Sequence, residues 1–314
     1  MIDKIKVVFM GTPDFAVPVL EGLIENYEVV LVVSQPDKKT GRHQVLTNTP
    51  VKNVALKYNI PCFQPVKIKD EYQEVLAYNP DIIITCAYGQ ILPKEILNYP
   101  RLGCINVHAS ILPALRGGAP IHKAIIDGYS KTGITIMYMD VNMDTGDIIS
   151  QQKTDILDTD NLESVHDRLS VIGRDLLLET LPSIINGTND RVKQDNDKAT
   201  YAFNIKREEE HIDFNKNKRD IFNLIRGLSP VPGAFCLLDN SEMKVYSATI
   251  SNRVFPNAKI GEITGLYKDG IGVKCIDGEI IFTMIKPFGK NKMTASSYIN
   301  GLHNRESMIG KVFE

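Results

Sequence analysis

Five apolar runs recur through the first 140 residues with almost no alternation of polar and apolar side chains. They are IKVVFMG (5–11), EVVLVVS (28–34), DIIITCAY (81–88), GCINVHAS (103–110) and GITIMYMD (133–140). A strand with one wet face alternates, whereas a strand covered on both faces reads as a continuous apolar run. Helical patterns such as DFAVPVLEGLIEN, VKNVALKYN, DEYQEVLAYN and APIHKAIIDG separate the runs. This rhythm predicts an α/β fold, a Rossmann-like, doubly wound and mostly parallel sheet with helices on both sides. DIISQQKTDI (147–156) reads as a further strand pairing back after a tight turn. A long helical pattern over 161–187 closes the domain, which is placed at residues 1–189.

The texture then changes. Residues 190–205 are polar and without period, as in a linker. From 206 to 314 a helical segment near 216–228 precedes short runs at close spacing: GAFCLL, EMKVYSATI, GEITGLY, GIGVKCI and GEIIFTMIKP. Gly, Asn and Asp lie between them, so this half is expected to form a small OB-like β-barrel. A chain of 314 residues fits two domains of ordinary size. No apolar run approaches the roughly 18 residues that span a bilayer. The opening MIDKIKVVFMG lacks the apolar core and cleavage site of a secretory signal. A cytoplasmic protein with no membrane partner is expected. The five cysteines, 62, 86, 104, 236 and 275, are scattered and contain no CxxC pair, as reduced structural thiols do. Net charge is −2, but residues 1–205 carry 20 basic and 25 acidic side chains against 16 and 13 in 206–314. The second half can therefore meet phosphates without the composition demanding it.

The stretch GCINVHASILPALRGGAP (103–120) is the richest in chemistry. Asn106 and His108 stand two apart on a strand, so they share a face. They lie near the strand's C-terminal end, where open α/β sheets place ligands. Two polar side chains in an apolar strand need partners, either core hydrogen bonds or a substrate. Pro113 stiffens the exit from the strand, and Gly117-Gly118 permit close backbone approach. On the loop after the next strand, VNMDTGD (141–147) carries Asp144, expected at the same edge of the sheet. By spacing alone, Asp144 reads equally well as a turn former or as a functional carboxylate. GTPDFA after the first strand is not the GxGxxG fingerprint of dinucleotide binding, which disfavours a nicotinamide dehydrogenase.

The pattern Asn-x-His-x-Ser-x-Leu-Pro-x-x-Arg-Gly over 106–117, with Asp144 in a D-T-G-x-I loop, resembles the 10-formyltetrahydrofolate-dependent formyltransferases. VVFMGTPDFAVPVL, PDKKTGRHQVLTNTPVK (36–52), AYGQILPKEIL (87–97), LSPVPGAF (228–235) and KPFGKNKM (286–293) are similar to the branch that formylates methionyl-tRNA. The resemblance implies Asn106, His108 and Asp144 as catalytic residues and 10-formyltetrahydrofolate as formyl donor. It implies a folate site along Ser110, Ile111, Leu112 and Pro113, with the 81–92 region as a second wall. Lys38, Lys39 and Arg42 of the 37–46 loop, with Lys286, Lys290 and Lys292, would contact the initiator methionyl-tRNA. No metal is implied, and a monomer is expected. Within the superfamily, the alternative is a formyltransferase acting on an amino-sugar nucleotide. A purine-pathway enzyme would be a single domain of about 200 residues, and a folate- or RNA-binding protein without turnover would not need the full triad. Ala114-Leu115 and Val231 stand where the family commonly has aromatics, and the chain has no Trp. The 37–46 loop ends in RHQ where lysines are common. Altered packing, with catalysis retained, is expected from these departures.

Overall fold

A computed structural model describes residues 5–41 and 44–314. By its internal contacts the chain forms two units. The first comprises residues 1–120, 131–155 and 166–203, and the second 121–130, 156–165 and 204–314.

The first unit is built on β1 (Lys6–Gly11), β2 (Glu28–Val33), β5 (Cys62–Phe63), β6 (Ile82–Cys86), β7 (Cys104–His108), β8 (Lys131–Tyr138) and β9 (Ile148–Asp155). A hairpin of β3 (Lys38–Thr40) and β4 (Val45–Thr47) stands apart from this sheet. Sheet order is β5-β2-β1-β6-β7-β8-β9. Parallel pairing runs from β5 through β7, then β8 and β9 are antiparallel. The sheet is thus Rossmann-like and mixed. Its order reverses between β1 and β6, the kind of switch point beside which ligands settle. The apolar runs are covered on both faces as expected: Val7 to Met10 and Ile82 to Ile84 are at most 1% exposed. Successive residues serve opposite layers, and Val8 and Met10 join Leu31, Val33 and Ile83 in one of them. The helix Pro50–Lys57 starts where its sequence says it should. Thr49 caps it by accepting the Lys52 N–H, and Pro50 occupies the first turn. The long helix Leu162–Ile185 lies close on β7, since a Cβ at Gly173 would sit 3.0 Å from the Val107 side chain.

Two expectations change here. GITIMYMD continues the strand series but runs antiparallel, with Ile105 opposite Tyr138 and His108 opposite Thr135. The polar segment 190–203, read as a linker, belongs to the first unit. Its backbone is paired to residues 113–119: Arg116 N–H donates to Thr200 O (2.8 Å), Ala202 N–H to Arg116 O (2.7 Å), and Ala119 N–H to Ala202 O (2.9 Å). No hydrophobic period marks such a strap, because main-chain hydrogen bonds hold it rather than a buried apolar face.

The second unit contains the helix Lys218–Gly227 and an antiparallel sheet of β10 (Ala234–Leu238), β11 (Ser241–Ser251), β12 (Ile263–Leu266), β13 (Ile271–Cys275), β14 (Gly278–Pro287) and β15 (Met293–Thr294). Its order is β10-β11-β14-β13-β12, with β15 on β14. Residues 310–314 join the two ends of that path. Ile263 N–H donates to Lys311 O, Phe313 N–H to Gly261 O, and Glu314 and Leu237 exchange both backbone bonds. The interior is apolar, with Phe214, Phe282 and Phe313 in mutual ring contact.

Arg226 is 8% exposed in this unit and donates to Asn223 Oδ1 (2.9 Å), Leu157 O (2.6 Å) and Asp160 O (3.2 Å). Arg226→Met keeps the bulk and removes those three bonds. Thermal unfolding should show a loss of about 2–3 kcal/mol, the worth of buried hydrogen bonds from a charged donor.

Candidate active site

The site starts from β7. Strand geometry sends Asn106 and His108 to one face, and their surroundings fix which atoms face outward. The buried Thr85 hydroxyl on β6 donates to Asn106 Oδ1 at 2.8 Å. That bond leaves the Asn106 Nδ2 amide as the donor end. His108 is 5% exposed, and its Nε2 lies 3.1 Å from Leu115 O. A carbonyl oxygen only accepts, so Nε2 carries the proton there. The other nitrogen, Nδ1, lies 3.7 Å from Asp144 Oδ1. The Asp144 carboxylate thus stands beside the ring nitrogen that does not face Leu115 O.

Asp144 arrives by an unexpected route. Because β8 is antiparallel to β7, the loop after it leaves at the start of β7, where Met139 N–H donates to Cys104 O. The loop must double back to bring Asp144 to His108, at the far end of that strand. Asp144 itself has φ +56°, a left-handed conformation costly for a residue with a side chain. Hydrogen bonds hold it there. The Gly117 N–H donates to Asp144 Oδ2 (2.8 Å), and Gln194 Nε2 donates to both Asp144 O and Gly146 O at 2.8 Å. The other end of Gln194 is fixed as well. Its Oε1 accepts from Arg116 Nε (3.1 Å) and Nη2 (2.8 Å), and Arg116 Nη2 also reaches Asn196 Oδ1 (2.8 Å).

Arg116 is 2% exposed. Its guanidinium is held in this arrangement by two side-chain amides, which leaves its charge unspent on any carboxylate in the network. Gly117 at φ +123° tolerates no side chain, since a Cβ would stand 2.6 Å from Ala202 O. The strap therefore sets the position of both the Arg-Gly turn and the Asp144 loop.

Residues 110–113 form a tightly bonded turn. Ser110 Oγ donates to Ala114 O (2.6 Å), Leu112 N–H donates to Thr135 Oγ1 (3.1 Å), and Gln151 Nε2 donates to Leu112 O (2.9 Å). The half-buried Ile111 and Pro113 side chains remain as contact surface. Among the described residues, no group of three or more His, Cys, Asp or Glu side chains could hold a metal ion. Nor is a thiol poised for attack: burial pushes Cys62 up to about 11 and Cys104 up to about 12.

The formyl transferase family matches residues 3–181, and the family of its C-terminal domain matches 204–303. The chain is 49% identical over 311 residues to the methionyl-tRNA formyltransferase of Staphylococcus aureus strain MW2, covering 98% of each chain. The chain belongs to the methionyl-tRNA formyltransferases of the formyl transferase family. Its fold is shared with an N-formyltransferase from Helicobacter canadensis solved with folinic acid and dTDP-3-aminofucose. That match has a TM-score of 0.66 at 20% identity, over 90% of this chain and 100% of that one. A methionyl-tRNA formyltransferase from Clostridium thermocellum matches with a TM-score of 0.55 at 22% identity, over 87% and 100%.

His108 and Asp144 stand side by side, and Asn106 lies two residues before His108 on the same face of β7. Lys38 and Lys39 are exposed on β3 of the first unit, while Arg42 lies outside the described residues. In the second unit, Lys286 on β14 pairs in register with Lys244 on β11. The Nζ of Lys290 lies 5.4 Å above the Tyr298 ring, and that of Lys292 lies 4.5 Å above Tyr246. The motif reading missed Thr85, Gln194 and Thr200, whose hydroxyl accepts the Leu115 N–H at 2.9 Å. Only an unexplained polar residue inside the apolar run DIIITCAY could have pointed to Thr85. Nothing local distinguishes Gln194 or Thr200 from their polar neighbours.

Proposed function

We infer that this chain transfers a formyl group from 10-formyltetrahydrofolate to the α-amine of initiator methionyl-tRNA, in the cytoplasm and as a monomer. The observation that carries the reading is the convergence of Asn106, His108 and Asp144, with each side chain oriented by a second group. The near-full-length identity to a methionyl-tRNA formyltransferase supports the acceptor. When bound, the folate supplies the carbonyl carbon that the amine attacks. The 110–113 turn suits that ligand through apolar contact at Ile111 and Pro113, since the Ser110 hydroxyl and both Leu112 backbone groups are already bonded.

Asn106 Nδ2 and the His108 ring donate to the formyl oxygen as negative charge develops on it. Removing such a donor costs about 3–4 kcal/mol of barrier lowering. An α-amine has a reference pKa near 8, so the attacking group must shed a proton, and Asp144 accepts it directly or through water. The first unit carries the chemistry. Lys38, Lys39 and Arg42, with Lys286, Lys290 and Lys292 of the second, meet the tRNA backbone.

The deciding assay offers the protein a formyl-folate donor with methionyl-tRNA, with an amino-sugar nucleotide, or with neither. Labelled formyl should appear on methionyl-tRNA; label on the sugar, or nowhere, ends this reading. Replacing Lys286, Lys290 and Lys292 together by Ala should raise the KM for tRNA. It should also flatten its salt dependence by about two to three units of slope, one for each phosphate that no longer meets a lysine. An unchanged slope would remove these lysines from the interface.

A further inference from the structure

The strap that positions the catalytic loops also presents two aromatic rings to solvent. Tyr201 is 54% exposed and Phe203 61%, while Ala202 between them is fully buried. The alternation follows from the extended backbone, in which residues two apart share a face. The backbone bonds of Ala202 to Arg116 and Ala119 fix the segment without help from the rings. Their planes are parallel within 5°, with centroids 5.7 Å apart. Exposed apolar rings on a rigid, hydrogen-bonded segment are a surface kept open rather than a failure to pack. The pair is also tied to the chemistry. Ala202 O packs against Gly117, the residue whose N–H donates to Asp144.

We propose that Tyr201 and Phe203 form a stacking platform for the unpaired bases at the 3′ end of the acceptor RNA. The inference rests on the methionyl-tRNA reading. The amine that must reach Asp144 belongs to an amino acid esterified to the 3′-terminal nucleotide, so the preceding single-stranded bases have to lie beside the site. Aromatic faces hold such bases without reading their identity, because every base has a π-face. That suits a segment common to all acceptors, and leaves discrimination among tRNAs to other contacts.

The test uses the full chain and two probes. The first is a single-stranded RNA oligonucleotide ending in CCA with no amino acid attached, followed by fluorescence anisotropy at low and moderate salt. Wild type should bind it. Tyr201→Leu and Phe203→Leu keep apolar bulk but lose the π-face, and each should weaken binding about tenfold by the same ratio at both salts. Tyr201→Phe should bind like wild type. The second probe is methionyl-tRNA in the formylation assay. Each Leu variant should show a KM raised about tenfold, with kcat and the KM for the folate donor within about twofold of wild type, and an unchanged melting temperature.

The proposal requires both results. It is overturned if wild type does not bind the oligonucleotide, if the Leu variants bind it equally well, or if the methionyl-tRNA KM does not move. A KM effect without an oligonucleotide effect would mean that the rings hold the methionine side chain, and also overturns it. If wild type binds the oligonucleotide but formylates no tRNA, the functional reading has failed on its own, and the binding arm alone judges the platform.

Discussion

Asp144→Asn is expected to lower kcat by about 10²–10⁴-fold, the range spanned by a missing general base, while donor binding stays within about twofold. The substitution is close to isosteric. Its Oδ1 can still accept the Gly117 N–H now bonded to Asp144 Oδ2, so the loop need not move. Two properties disappear. The amide cannot take a proton from the attacking amine. Its NH₂ would face His108 Nδ1, now 3.7 Å from Asp144 Oδ1, and donate to that nitrogen. With Nε2 already given to Leu115 O, neither ring nitrogen would be left to meet the formyl oxygen. Steady-state formylation of methionyl-tRNA, with calorimetry for the donor, measures both quantities. A kcat within about tenfold of wild type would exclude Asp144 from proton transfer.

Gln194→Ala should have the next largest effect, exerted through the Asp144 loop. Its carboxamide joins the buried Arg116 guanidinium to the carbonyls of Asp144 and Gly146. Truncation leaves Arg116 with Asn196 alone, and leaves the Gly117 N–H to hold Asp144 at its positive φ. The expected losses are about 2–3 kcal/mol in stability, from unmade buried bonds, and about 100-fold in kcat, from a catalytic group displaced by around an ångström.

Gln194→Glu separates the two losses. A carboxylate pairs well with Arg116, so part of the stability should return, but it has no N–H for Asp144 O or Gly146 O and sets a charged oxygen against both, so kcat should stay low. The melting temperature and kcat of the two variants decide the matter. Full activity in Gln194→Glu would show that the Asp144 loop holds its own shape, and would limit Gln194 to a structural role.

The residues that were legible from sequence share one property: their placement depends on near neighbours. Unbroken apolar runs revealed the buried strands of the first unit, and spacing by two put Asn106 and His108 on one face. The family motif supplied the third member of the site, since turn chemistry alone would have explained Asp144. Strand order points to Asp144 too, but through a parallel β8 that does not exist. The residue is beside His108 because the loop folds back, not because two strands end at one edge.

What the sequence determined by itself was the set of segments that must be buried and the strand that carries Asn106 and His108, because hydrophobic periodicity is written in adjacent residues. The direction of β8, the bridging of the second unit's two edge strands by residues 310–314, and the strap that ties Gln194 and Thr200 to the loops at 113–119 and 141–147 were decided by the tertiary structure alone. Each depends on where a distant piece of backbone returns to offer a hydrogen bond. A polar residue such as Gln194 carries no local sign of the Arg116 that it will meet 78 positions away.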